Sequence, residues 1–159
     1  MKKYKNTIIF LIVIVCFLFD LLTKQIANNI LGVYEKNEII NDFFYLTLCY
    51  NTGGAWSIFS GNVWLLVIIS LFALAFIIYS MIKSKSNFYK YSSAIFVGGL
   101  VGNLFDRIAY GKVIDFLDFI IFGYDFPVFN IADCFICIGV VLMLVAVIKE
   151  ENDERKVSN

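Results

Sequence analysis

Four apolar runs, Thr7 to Lys24, Val63 to Ile82, Tyr91 to Arg107 and Ile131 to Ile148, each come close to the ~20 residues that a helix needs to cross the hydrocarbon of a bilayer. None shows the one-sided apolar stripe of a helix packed in a soluble domain. Composition agrees. Of 159 residues, 60% are hydrophobic and 18% aromatic, with one proline and a mean hydropathy of +0.81, whereas an ordinary soluble domain is apolar over about half its length. The expected fold class is an all-α membrane protein, a four-transmembrane-helix bundle. The first run follows Lys2, Lys3 and Lys5 as a secretory signal would, but no small-x-small cleavage pattern comes after it and Asp20 to Lys24 is polar, so it is expected to stay as a helix. No internal repeat is evident. The segment 149–159, KEENDERKVSN, is expected to be a disordered polar cytoplasmic tail, which leaves 1–148 as a single integral membrane domain.

Lysine and arginine set the orientation. Nine of the thirteen fall before the first run (Lys2, Lys3, Lys5), in the second connection (Lys83, Lys85, Lys90) and in the tail (Lys149, Arg155, Lys156), and four spans place all nine on one side. By the positive-inside bias that side is cytoplasmic. Both termini are then cytoplasmic, and residues 25–62 and 108–130 are external. The first external segment contains FFYLTLCY at 43–50, aromatic and strand-like, so a small extracytoplasmic β-sheet is expected on the membrane surface. No basic block is long enough for a nucleic-acid surface.

This topology collects the polar residues at one level. The first and third runs end outward in Asp20 and Lys24 and in Asn103, Asp106 and Arg107, while the fourth starts outward with Asn130 and Asp133. Spacings of three or four residues put each set on one helix face. An ionisable group at mid-bilayer costs roughly 2.5 to 3.5 kcal/mol on insertion scales, so several at one depth suggest a site. Simple anchoring of helix ends would pair Asp20 with Lys24 and Asp106 with Arg107 or Lys112. It leaves Asp133 with no nearby cation in sequence, and it leaves Asp115 and Asp118 interrupting the apolar VIDFLDF.

The chain has no histidine, which removes the usual catalytic base and the commonest ligand for zinc, copper or iron. Two carboxylates held close in a low dielectric share a proton, and such a pair activates water without histidine, metal or cofactor. Asp133 with one of Asp106, Asp115 or Asp118 could form it, and spacing alone does not choose among the three. A Ser57 or Ser60 nucleophile with Lys24 as base needs a neutral lysine, yet Asp20 on the same face holds Lys24 charged. Cys134 beside Asp133 has no activator, and the CxxC of Cys134 and Cys137 has no second pair. A transporter or structural protein could instead hold a hard cation on Asp106, Asp115 and Asp133, though four short helices without a repeat suit alternating access poorly.

Five ordered motifs go further: DLLTK (20–24), NTGGAW (51–56), GGLVGNLFDR (98–107), VIDF (113–116) and FNIAD (129–133). With them the chain closely resembles the bacterial lipoprotein signal peptidase (type II signal peptidase, prolipoprotein signal peptidase) family over nearly its whole length apart from the tail. The resemblance implies a cell-membrane aspartyl endopeptidase that removes signal peptides from diacylglyceryl-modified prolipoproteins by cleaving before the lipidated cysteine. Its partners would be lipid-modified prolipoproteins and membrane lipids and not nucleic acid; it would act as a monomer, near the outer face, with no metal or cofactor. The same resemblance makes Asp115 and Asp133 the catalytic pair. Asp20, Lys24, Asn51, Gly53, Asn103, Asp106, Arg107 and Asn130 would bind substrate or support the acids, under a small curved sheet that fits the segment at 43–50. Gly54 and Leu100 stand where alanine is usual, and Cys134 where a small hydroxyl residue is common.

The charge bias predicts that reporter fusions after Lys36 or Lys112 read as external and a fusion after Lys85 as internal. The reverse pattern would overturn the orientation.

Overall fold

The computed structural model describes residues 2–158, with side chains described over 5–151. Lys2, Lys3, Arg155 and Lys156, four of the basic residues that set the expected orientation, have side chains outside the described ones. Along the chain come α1 (Lys2–Ile30), β1 (Lys36–Ile40), β2 (Phe44–Asn51), a 3-10 turn (Ala55–Ser57), α2 (Val63–Lys83), α3 (Asn87–Tyr110), β3 (Val113–Ile121), β4 (Tyr124–Asp125) and α4 (Ile131–Ser158). The fold is thus mostly helical with a small sheet.

Among the described residues, three helices are long and apolar enough to cross a membrane: Lys5–Ile30, Val63–Lys83 and Ile131–Glu151. All four expected helices are present, and α3 forms as anticipated but is not among the three that are apolar enough by length and composition. Its position explains why. α3 packs against α1, α2 and α4, and its buried residues include Ser92, Ser93, Ala94, Gly98, Gly99 and Gly102. A helix shielded by three neighbours can exchange large apolar side chains for small ones that let backbones approach. A methyl added at Gly98 would come within 2.5 Å of Cys16 Cβ, and one at Gly102 would meet a carboxylate oxygen of Asp20. These two glycines, four residues apart, seat α1 against α3. Ser86 caps the start of α3 by accepting from the Tyr89 N–H at 3.2 Å, and Gly111, in the left-handed region at φ 67°, ends it.

The polar tail differs from expectation. α4 continues to Ser158, so the tail backbone is helical, in keeping with the helix propensity of its Glu, Lys and Arg residues.

The expected strand at 43–50 is β2. It lies second in an antiparallel sheet ordered β1-β2-β3-β4. β3 went unforeseen, although Val113, Ile114 and Phe116 suit a half-buried pleat. Its register sets Asp115 opposite Cys49 and Val113 opposite Asn51, past an irregularity between Leu46 and Cys49. A two-residue turn, Phe122 (φ 52°) and Gly123 (φ 79°), leads back into β4 in the manner of a tight hairpin.

β3 touches α1 and α3, which places the sheet over the ends of those helices. It also holds the segment that enters α4. Phe116 and Leu117 N–H donate to the Phe129 carbonyl at 3.0 and 2.8 Å, and the Phe129 N–H returns a bond to Leu117 O at 3.0 Å. This clasp brings the VIDF acid to the first turn of α4.

Candidate active site

The site is built around a lysine with no access to solvent. Lys24, on α1, is wholly buried. Its ammonium lies 2.8 Å from Asp20 Oδ2, four residues earlier, and 3.0 Å from Asp106 Oδ2 on α3. The third contact is a hydrogen bond to Asn103 Oδ1 at 3.0 Å. The anticipated Asp20–Lys24 pair is present. Asp106 is not paired with Arg107 or Lys112: it turns inward to Lys24, and its Oδ2 also accepts from the Ile114 N–H at 3.3 Å. A carboxylate buried this deeply needs a buried cation, and Lys24 supplies it.

Two carboxamides carry this arrangement across the bundle. Asn103 Oδ1 accepts from Lys24 and from Asn130 Nδ2, both at 3.0 Å. Its Nδ2 donates to Asp133 Oδ1 at 2.7 Å. Asn130 stands just before α4 and exchanges bonds with Asp133: the Asp133 N–H donates to Asn130 Oδ1 at 3.0 Å, and the Asn130 N–H donates to Asp133 Oδ2 at 3.1 Å. This reciprocal bonding is the capping box, with Asn and Asp in place of Ser and Glu. The FNIAD motif is therefore a helix start that fixes the orientation of an acid. Asp20 reinforces that start, since its Oδ1 accepts from the Ala132 N–H at 2.8 Å.

Asp115 comes to the same place from β3. Asn130 Nδ2 donates to its Oδ1 at 2.6 Å and Asn51 Nδ2 to its Oδ2 at 3.0 Å. Asn130 thus holds Asp115 by its side chain and Asp133 by its backbone. Asp115 is buried, whereas Asp133 is half-buried. Burial, followed by the charge of Asp133, pushes the Asp115 carboxyl up to about 7, against the opposing bonds from Asn51 and Asn130 and the charge of Lys24.

The NTGG segment closes one side. Asn51 Oδ1 accepts from the Gly53 N–H at 2.8 Å, a turn local to the motif. Arg107 Nη2 donates to Gly53 O at 3.0 Å and Nη1 to Asn103 O at 3.3 Å, tying this turn to α3. A Cβ at Gly53 would fall within 2.9 Å of the Ser57 backbone, so only glycine fits there. All ten residues singled out from the sequence belong to this one connected set.

Other candidates lie apart from it. Asp118, three residues from Asp115, is wholly buried elsewhere in the sheet. Its Oδ2 accepts from Thr47 Oγ1 at 2.6 Å and lies 3.4 Å from Lys36 Nζ. Neither Thr47 nor Lys36 was singled out in the sequence, because only the strand pairing brings them to Asp118. Ser57 and Ser60 are exposed on the loop after β2, and Lys24 is committed to its two acids. All four cysteines are free thiols. Burial, with added repulsion from Asp115 and Asp118, pushes the Cys49 thiol up. Asp106 faces Lys24 instead of Asp115 and Asp133, and no group of three or more metal-binding side chains converges among the described residues.

The sequence matches the family described as Signal peptidase (SPase) II over residues 12–149. The lipoprotein signal peptidases of Staphylococcus aureus strains JH9 and Newman are each 36% identical to it over 157 residues, 98% of this chain and 96% of theirs. A bacterial membrane enzyme solved by the in meso method at 2.3 Å aligns with a TM-score of 0.83 at 36% identity, covering 91% of this chain and 90% of its own. A second, at 1.9 Å, gives 0.79 at 37% identity over 89% and 92%. Sequence and fold agree over nearly the full length, and the chain belongs to the signal peptidase II family of membrane aspartic peptidases.

Proposed function

We propose that this chain removes signal peptides from diacylglyceryl-modified prolipoproteins by cleaving before the lipidated cysteine, with Asp115 and Asp133 activating the attacking water. The observation that carries this reading is the double hold of Asn130, whose side chain bonds Asp115 at 2.6 Å while its N–H bonds Asp133 at 3.1 Å. One residue thus holds both carboxyls in one site, where the charge of Asp133 raises the Asp115 carboxyl, as in a coupled pair of acids. The raised Asp115 carboxyl, at about 7, is the member assigned the proton, and Asp133 is assigned the role of base.

Asp133 takes a proton from water as its oxygen bonds to the scissile carbonyl carbon, and Asp115 gives its proton to the carbonyl oxygen. Asp133 then passes its proton to the nitrogen while Asp115 takes one back from a hydroxyl of the tetrahedral diol, so that the C–N bond breaks and both acids return to their starting state. The products are a signal peptide with a free carboxyl end and a lipidated cysteine with a free amine. Lys24, Asp20 and Asp106 fix the floor, Asn103 and Asn130 aim the acids, and Arg107 with Gly53 and Asn51 shapes the wall. Neither metal nor cofactor has a part.

α3 is the fourth crossing helix on this reading: its 24 residues give about 36 Å at 1.5 Å per residue. Both termini are then cytoplasmic, residues 1–148 form one membrane domain, and the acids lie near the outer face. A single copy supplies every residue of the site, which suits a monomer. Each buried CH₂ of the substrate's acyl chains supplies about 0.8 kcal/mol of partitioning, so the lipid places the scissile bond at the depth of the acids.

Purified enzyme should shift the mass of a lipidated prolipoprotein and leave an unlipidated one intact; efficient cutting of the latter would contradict the lipid requirement. Asp115→Asn and Asp133→Asn should each lower turnover by ~10⁴-fold, at or beyond the upper range for lost acid–base catalysis, with substrate binding retained. Ser57→Ala, Cys134→Ser and Asp118→Asn should keep most activity, and an Asp118→Asn variant that stays folded yet is as inactive as Asp115→Asn would refute the pairing.

Because the raised Asp115 carboxyl must hold its proton, kcat/KM should fall as pH rises through about 7. A rate still climbing at ~pH 8 would show that the pair does not share a proton in this way.

A further inference from the structure

β2 and β3 have two faces, and only one belongs to the acids. Asn51 and Asp115 bond to each other at 3.0 Å. Their chain neighbours Tyr50 and Ile114, which are paired in register, point the other way. There they wall an open cavity of about 510 Å³ between the ends of α1 and α3, whose inner end is formed by Lys24 and Asp106, the ion pair under the site.

The surface of this cavity is more apolar than polar, but several hydrogen-bond donors line it. Gln25, Asn28 and Asn29 line it from one face of α1, and Lys112 from the turn after α3. Lys112 makes no ion pair among the described residues; its ammonium sits 3.3 Å from the centroid of the Tyr50 ring. Tyr50 Oη donates to Asn28 Oδ1 at 2.8 Å, which leaves the Asn28 amide N–H groups free to face a ligand. Asp106, at the floor, is the one acid of the lining, and its charge is met by Lys24 at 3.0 Å. Among the described residues Lys112 is thus a cation that faces an aromatic ring and no carboxylate, among amides that both donate and accept.

We propose that this cavity binds a phosphate group, with Lys112 as its cation and the α1 amides bonding the phosphate oxygens and any attached hydroxyls. The volume lies in the ~300 to 1,000 Å³ range of small-molecule sites and well exceeds a bare phosphate, and Leu21 and Ile114 add apolar wall. Both features fit a phosphate carried by a polyol headgroup. On the orientation proposed above, the cavity faces the outer leaflet, where phospholipid headgroups lie. A headgroup there would brace the sheet on α1 and α3 from behind the acids. Substrate on the Asp115 face would leave it in place.

Native mass spectrometry of the full chain in detergent tests this without any need for peptidase activity. Phosphatidylglycerol is titrated against diacylglycerol of the same acyl chains, and inorganic phosphate is tested in parallel by its effect on the thermal midpoint. Phosphatidylglycerol should be retained and diacylglycerol should not. Lys112→Gln should weaken retention about tenfold, the worth of one charge-assisted hydrogen bond, with prolipoprotein cleavage unchanged. Gln25→Ala should weaken it less. Stabilisation by inorganic phosphate that Lys112→Gln abolishes, without lipid retention, would support the phosphate site and make free phosphate its source. Equal retention of the two lipids, or equal binding by Lys112→Gln and the unsubstituted chain, would overturn the proposal.

Discussion

The arrangement of the site depends on one buried cation. Removing an ammonium from water costs several kcal/mol even after relaxation, and so does burying each carboxylate; mutual attraction compensates only when geometry is good and every donor is met. Lys24 is held by ion pairs to Asp20 and Asp106 and by a hydrogen bond to Asn103. These partners come from two helices, α1 and α3, so satisfying the lysine also fixes how the helices sit. The packing around it is correspondingly tight, since a methyl at Gly102 would collide with Asp20.

Charge at Lys24 is passed to the acids by groups that both donate and accept. Asn103 takes a bond from Lys24 and gives one to Asp133; Asn130 gives bonds to Asn103 and Asp115 and exchanges bonds with Asp133. A hydroxyl has one proton to give, while a carboxamide has two and an acceptor oxygen. Asparagine at both positions links three elements with few groups left unsatisfied. The acid on β3 and the acid on α4 can therefore be neighbours without either belonging to the other's element. Asp115 remains costly to ionise because burial outweighs the bonds it receives, and that cost is what an acid–base pair requires.

Much of this was legible from residue order. The second apolar run, Val63 to Ile82, differs from α2 by a single residue at its end, and the aromatic segment at 43–50 is a strand, because apolar length and β-rich composition are local signals. The polar residues at helix ends were legible as one set because helical spacing puts each group on one face. Asp106 was harder: its nearest cations in sequence are Arg107 and Lys112, yet its partner is Lys24, brought near only by α1–α3 packing. Asp115, Asp118 and Lys36 show the same limit in the sheet. VIDFLDF looked like an interrupted apolar run, and only strand register sends its two acids to different partners. α3 departs from its apolar neighbours because three other helices surround it, which no property of its own sequence reveals.

Removing the lysine charge alone tests this account most directly. The thermal midpoint of Lys24→Met in detergent should be compared with that of the triple variant Asp20→Asn, Lys24→Met and Asp106→Asn. The account predicts that the single change destabilises the fold by about 3 to 5 kcal/mol, as expected when one partner of a buried ion cluster is removed, and that neutralising both acids restores much of the loss. A Lys24→Met protein that unfolds at the same temperature as the unsubstituted chain would contradict it.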